Sequence, residues 1–217
     1  MKITFLGHAC FEIESANGTK LLIDPYESGA FGGQIRYRKI DRKVDIVLVT
    51  HEHADHNWTE GLPGSPEIFK MKGGVSKGIN IEAIPSYHDT SKGSERGRNT
   101  IFKFSVDGIN IAHLGDLGHI LEKEQIEKLK DLDILFLPVG GVFTVDPVDA
   151  TKVMNQLSPR VTIPMHFKTE KVGFPLKDVE EFIKGKEKVK RIDGGVWEVT
   201  KDSLPEPGTI VVLTPTY

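Results

Sequence analysis

Sulfur is nearly missing from this chain: Cys10 is the only cysteine among 217 residues, alongside four methionines. One thiol closes no disulfide and builds no thiolate metal cage, which excludes a disulfide-stapled scaffold and fits a reducing compartment. Long apolar runs are missing too, since nothing approaches the roughly 18 consecutive apolar residues of a membrane helix. Charge of one sign is lacking, with 28 Lys and Arg against 31 Asp and Glu and a pI near 6.2. That balance gives no general pull toward nucleic acid or anionic membrane. The opening "MKITFLGHACFEIE" alternates instead of forming a continuous apolar stretch, so it reads as a first strand and not a secretory leader. A length of 217 residues with 38% hydrophobic content can bury a sizeable core. The expectation is a globular protein of the cytoplasm.

What is present is a succession of short strands. "KITFLG", "CFEIES" and "KLLID" alternate around an Asn17-Gly18 turn, a strong hairpin signal. "PYESGAFGGQIRYRKI" (25–40) is Gly-rich and reads as a long surface loop. "VDIVLVT" (44–50) is apolar and β-branched, a buried strand. "INIEAIPSYH" runs to His88, and the charged loop "DTSKGSERGRN" (89–99) follows. "TIFKFSV", Asp107-Gly108 and "NIAHLGD" predict a second hairpin ending on Asp116. "EKEQIEKLKDL" predicts a helix with Ile126 and Leu129 inward, and "DILFLPV" (133–139) a buried strand. "DPVDATKVMNQLS" predicts a helix with Asp146 as N-cap, Pro147 in first position, and a stripe of Val153, Met154 and Leu157. "RVTIPMHF" is a strand ending at His166, "PLKDVEEFIKG" a last helix stopped by Gly185, and "GTIVVLTP" a closing strand.

The order repeats weakly, which pairs Asp24 with Asp116 and His88 with His166. Equivalent strand ends then meet at one edge of a two-sheet sandwich, with helices on the outer faces. That edge receives His51, His88, Asp116 and His166. "THEHADHN" (50–57) adds density, with three imidazoles and a carboxylate in six positions. In extended chain, residues two apart point the same way, so His51 and His53 reach one ion. Asp55 and His56, past a turn, serve a neighbouring one. Gathering so many histidines without a metal carries a heavy desolvation cost. Imidazole and carboxylate ligands without sulfur suit zinc, manganese or iron.

"HEHADH", followed by His88, Asp116 in "HLGDLG" and His166 in "PMHF", resembles the ligand series of the metallo-β-lactamase superfamily. "FLGHACFEI", "LLIDP" and "RGRNTIFKF" resemble its branch of small hydrolases that includes the ascorbate-6-phosphate lactonases. The resemblance covers nearly the whole chain. It implies a single domain over 1–217 with a four-layer αββα sandwich built from two similar halves. It also implies two divalent metal ions, zinc first, with manganese or iron compatible. His51, His53 and His88 would hold one and Asp55, His56 and His166 the other, with Asp116 bridging. Histidine rather than glutamate in the motif's second place disfavours the flavodiiron redox relatives. The implied activity is hydrolysis of a small ester, lactone or phosphodiester by a metal-bridging hydroxide, with Asp55 and Asp116 at the reacting centre.

Around that set, Asp24 is expected to accept the free ring N–H of a ligand histidine. His8 and His119 are candidates to face the site or the substrate, whereas His113 is expected on the opposite face in a structural role. Cys10 reads as a small packing residue. Lys92, Arg96 and Arg98 read as a solubilising loop in preference to recognition of an anion such as phosphate. Tyr26, Phe31, Arg36 and Tyr37 are candidates to line the pocket. The partner expected is a small molecule, with anionic ones among the candidates. An RNase Z-like nuclease is the alternative, disfavoured by the acidic total and by the lack of a tRNA-gripping insertion. The other alternative is a metal- or ligand-binding protein without turnover.

Overall fold

The computed structural model describes residues 1–217. Fourteen strands follow along the chain: β1 (Lys2–Gly7), β2 (Cys10–Glu14), β3 (Lys20–Ile23), β4 (Ile46–Val49), β5 (Glu67–Lys70), β6 (Gly74–Ser76) and β7 (Ile79–Tyr87), then β8 (Arg98–Val106), β9 (Ile109–His113), β10 (Ile134–Pro138), β11 (Val161–Met165), β12 (Val189–Ile192), β13 (Val196–Glu198) and β14 (Thr209–Leu213). They form two mixed sheets, ordered β13-β1-β2-β3-β4-β5 and β12-β14-β11-β10-β9-β8-β7-β6.

Strand periodicity explains how the first sheet sorts its residues. Ile3, Phe5, Leu21, Ile23, Ile46 and Leu48 enter a core cluster of 48 residues shared with the second sheet. The intervening Leu6, Leu22, Val47 and Val49 point the other way, into a separate cluster of 15. That second cluster also holds Tyr26, Ile35, Tyr37, Ile40 and Val44. The 25–40 segment, expected as a surface loop, is therefore the cover of the first sheet's outer face. It is tied to the second half by Arg36 N–H donating to the Lys171 carbonyl at 2.8 Å and by an Ile35–Val172 bridge.

Helices are few, and apart from a distorted single turn at Ala30–Gly33 they lie in the second half. Pro147–Leu157 follows the predicted design: the Asp146 carboxylate accepts from the Val148 and Asp149 amides, and Ala150, Val153 and Leu157 are buried. The predicted 122–132 helix is confined to Lys123–Lys128, closed by a Glu122–Gln125 capping box. The last helix is Val179–Ile183, capped by Asp178 and followed by Gly185 at φ 75°.

The two halves share a strand grammar. β1–β5 pair antiparallel, antiparallel, parallel, parallel, and β7–β11 repeat that series. Superposing the series places Asp24, after β3, opposite Asp116, after β9. It corrects the other expected pairing: His88 follows β7, so its counterpart is His8 after β1, whereas His166 follows β11, the counterpart of β5. Sequence spacing hid this, because the 88–97 loop is far longer than the two residues joining β1 to β2.

Candidate metal centre

Every candidate ligand sits just past a strand's C-terminal end, at the same edge of both sheets. His51 to His56 follow β4, Asp24 follows β3, His88 follows β7, Asp116 follows β9 and His166 follows β11. His8, Asp24 and His166 adopt left-handed backbone, at φ 56°, 47° and 52°. These are uncommon values for residues other than glycine, held here by the surrounding sheet ends.

The donor atoms form two neighbouring sets, with a third grouping of Asp24, His51 and His56 that shares a histidine with each. His51, His53 and His88 form one, and His8, Asp55, His56 and His166 form another. Asp116 lies between them. Its Oδ2 is 3.0 Å from His88 Nε2 and 3.2 Å from His166 Nε2, and its Oδ1 is 3.3 Å from His56 Nε2. Of the buried side-chain polar atoms without a hydrogen-bond partner, all but Gln156 Oε1 belong here: His8 Nδ1, His51 Nε2, Asp55 Oδ1, His56 Nε2, Asp116 Oδ1 and His166 Nδ1. Buried polar atoms are normally paired, so a cluster of lone pairs left over at one place fits divalent cations.

The surrounding hydrogen bonds fix which ring nitrogen carries the proton. Asp24 accepts from the Thr50 amide at 2.8 Å and the Thr50 hydroxyl at 2.7 Å, and its Oδ2 takes His56 Nδ1–H at 3.0 Å. With its hydroxyl proton spent on Asp24, Thr50 Oγ1 accepts from His51 Nδ1 at 3.0 Å. The Phe143 carbonyl accepts from His88 Nδ1 at 3.0 Å. Three histidines thus direct Nε2 toward the cluster, an arrangement that orients metal ligands and raises their basicity. His8 Nε2 meets Asp55 Oδ2 at 3.0 Å.

Burial and charge split the titrating groups. Burial, aided by His56, pushes His51 down to about 3, and burial, aided by His166, pushes His8 down to about 4. His53 is lowered by burial and by His88. Burial also disfavours charge on His56 and His88, but Asp116 outweighs it and raises both. Burial opposes ionisation of Asp116 and Asp55, yet His166, His56 and His88 hold Asp116 well below the carboxylate range, and His56 and His8 lower Asp55.

A cleft of about 320 Å³ opens onto His53, Asp55, His88, Asp116 and His166. Its other walls are Phe31, Phe143, Phe174, Glu95 and Arg96. The phenylalanines meet edge to face, with centroids 5.6 Å apart for Phe31–Phe174 and 5.3 Å for Phe143–Phe174. Arg96 thus belongs to the cleft, against the expectation of a merely solubilising loop, whereas Lys92 and Arg98 are exposed outside it. Of the 25–40 candidates only Phe31 lines the cleft; Tyr26 and Tyr37 are core residues, and Arg36 is exposed.

His119 is beside the cleft and not in it. Its Nε2 accepts from the Tyr87 amide at 3.2 Å and its Nδ1 donates to the Ile120 carbonyl at 2.8 Å, so both nitrogens are spent on backbone. His113 is bonded to the Ala9 carbonyl and the Gly115 amide, a structural role, but it does not turn away from the site: its Nδ1 lies 3.9 Å from Asp24 Oδ2. Thr50, Asn99, Phe143 and Phe174 are additions that the sequence did not single out. Asn99 Oδ1 accepts from the Asp116 amide at 3.0 Å. Gly115 makes that approach feasible: at φ 53°, a Cβ there would lie 2.7 Å from Thr50 Cβ.

No helix is long and apolar enough to cross a membrane. Residues 2–166 match the family described as beta-lactamase superfamily domain. A UPF0173 metal-dependent hydrolase of Archaeoglobus fulgidus is 32% identical, with 85% of this chain and 90% of that relative covered. A second, from Pyrococcus furiosus, is 34% identical across 78% and 85% of the two chains. A crystal structure from Thermotoga maritima, assigned to the Zn-dependent hydrolases of the metallo-beta-lactamase superfamily, is 30% identical, covers 97% of both chains and superposes with a TM-score of 0.77. By sequence, fold and clustered ligands alike, the chain belongs to the beta-lactamase superfamily, as a metal-dependent hydrolase of the UPF0173 group.

Proposed function

We propose that this protein is a dinuclear metal-dependent hydrolase acting on a small, anionic ester, lactone or phosphodiester. The observation that carries the reading is one cleft lined by His53, Asp55, His88, Asp116 and His166 of the candidate ligand set together with Arg96 and three phenylalanines. Such a cavity suits a small substrate with an apolar part and an anionic group.

His51, His53 and His88 would hold one ion, Asp55, His56 and His166 the other, and Asp116 both. Bound there, zinc, manganese or iron would supply a water of lowered pKa and a Lewis acid for the scissile group. The chain's own residues prepare for this. Asp24, Thr50 and the Phe143 carbonyl keep protons on the Nδ1 atoms of His56, His51 and His88, so Nε2 lone pairs face inward. Asp55 and Asp116 stay ionised and bring negative charge to the same point. Arg96 orients the anionic group, and the phenylalanines exclude water around the remainder. A lone buried cysteine suits a reducing cytoplasm.

The test is metal analysis of protein purified without chelator, followed by turnover of lactones, a phosphodiester and a thioester with each metal restored. About two equivalents and hydrolysis of at least one class are expected, both lost in Asp116→Ala. A folded Asp116→Ala protein with full activity would overturn the bridging role. Tight metal binding with no turnover across the panel would instead mark a binding protein.

A further inference from the structure

Asp89 follows the candidate ligand His88 and is only 3% exposed, although it begins a highly polar loop. Its Oδ1 accepts from the amides of Ser91 and Gly93, both at 2.8 Å. Its Oδ2 accepts from Glu95 at 3.1 Å and Arg96 at 2.8 Å. One carboxylate thus gathers four backbone amides that have no strand to pair with. The loop is closed by Gly97 N–H donating to the Gly93 carbonyl at 3.0 Å and His88 N–H donating to the Gly97 carbonyl at 3.1 Å. Gly93, at φ 82°, is essential to the wrap, because a Cβ there would lie 2.9 Å from the Gly97 oxygen.

The product of this folding is the placement of one cation. Arg96 lines the cleft with its guanidinium carbon 5.9 Å from the Phe143 ring centroid. Its acidic contact is Glu95, at 3.6 Å, a side chain itself held by the Ser91 hydroxyl at 2.5 Å. Anchoring the Arg96 backbone beside the cleft, with the side chain itself 37% exposed, removes part of the ordering cost that recognition otherwise meets. Arginine in a prepared position is well matched to carboxylate or phosphate oxygens.

We propose that Asp89 is a positioning residue that wraps residues 89–97 around its carboxylate and so fixes Arg96 as the anion-recognising group of the cleft. Glu95 is the internal counterion that an incoming anion displaces. The proposal rests on the anionic substrate inferred above, and its test is independent of turnover.

The probe is inorganic phosphate titrated calorimetrically into the metal-loaded protein. Arg96→Ala is expected to weaken phosphate about 10–100-fold, the scale of charge-assisted hydrogen bonds, with metal content unchanged. Asp89→Asn should weaken it to a comparable extent, and Glu95→Gln should tighten it a few-fold. In the Arg96→Ala background, Asp89→Asn should add less than about twofold, because both act through one cation. Amide exchange at Ser91, Gly93, Glu95 and Arg96 should speed up in Asp89→Asn and stay slow in Arg96→Ala. Wild-type phosphate affinity in Asp89→Asn, or an equally large loss in the Arg96→Ala background, would overturn the proposal. If Asp89→Asn fails to fold, Gly93→Ala disturbs the same wrap and carries the same expectations. Phosphate binding that depends on Arg96 and Asp89 in a protein that hydrolyses nothing would sink the hydrolase reading and support this one.

Discussion

Asp24 Oδ2 lies 3.0 Å from His56 Nδ1, and neither side chain has any exposed surface. The same carboxylate carries the amide and hydroxyl of Thr50, which in turn takes the His51 ring. One aspartate outside the ligand set therefore orients two histidines. Asp24→Asn keeps the shape but removes the charge that favours N–H on His56 Nδ1. Metal affinity is expected to fall about 10–100-fold, measured by competition with a chelator. An unchanged affinity would dismiss the orienting role.

The opposed histidine shifts predict a bell in the stability of chelated protein. His8, His51, His53 and His113 have folded values lowered beneath the ordinary 6.5, so the unfolded chain binds more protons below that pH. Their contribution is lost as pH falls below about 6.5. His56 and His88 are raised, so theirs is complete below 6.5 and is lost as pH rises through the folded values. Melts from pH 5 to 9 with chelator should peak near 6.5. With zinc present the alkaline loss should vanish, because bound imidazoles are neutral at every pH in the range. Identical profiles with and without zinc would refute the metal's link to these histidines.

His8 touches Asp55 in one donor set and none of His51, His53 and His88. His8→Ala is expected to weaken one class of metal site about 10–100-fold while sparing the other. Titration of the chelated protein should then separate into two steps. A uniform loss at both sites would show that His8 acts on the fold as a whole.

Val142 sits at φ 63° and is half exposed, an unfavourable backbone for a β-branched side chain. It immediately precedes Phe143, whose carbonyl holds His88 and whose ring lines the cleft. Val142→Gly removes a strain of about 1–2 kcal/mol, offset in part by glycine's greater chain entropy. Net stability should rise by up to about 1 kcal/mol while turnover falls several-fold as the Phe143 carbonyl loosens. A variant that gained turnover along with stability would contradict that coupling.

The ligand cluster was legible because metal chemistry demands particular residue types at close spacing, and "HEHADH" supplies them within six positions. The strand ends at His88, Asp116 and His166 were legible for a similar reason: each closes an apolar, β-branched run. The companions of the ligands were not. Thr50 reads as the last residue of a strand and Asn99 as a loop asparagine, Phe143 falls between predicted elements, and only tertiary proximity gives them work. Likewise β5, β6, β12 and β13 are three or four residues long and, unlike the equally short β3 and β4, carry no apolar run for the sequence to register. His119 misled because three residues past Asp116 suggested a shared face, whereas the chain turns and spends both its nitrogens on backbone. The 25–40 loop misled through its glycines, whose turns bring two tyrosines inward to do a helix's covering.

The donors at this centre come from chain positions 8 to 166 and from both sheets. Each donor set draws on both sheets, so neither is complete until the sheets have docked face to face, and contacts of such long separation form late in folding. Metal uptake during refolding would therefore time the docking of the sandwich itself. A bound ion is also a clasp between the two halves, so a fragment carrying either half alone would retain its strands' preferences but not the site.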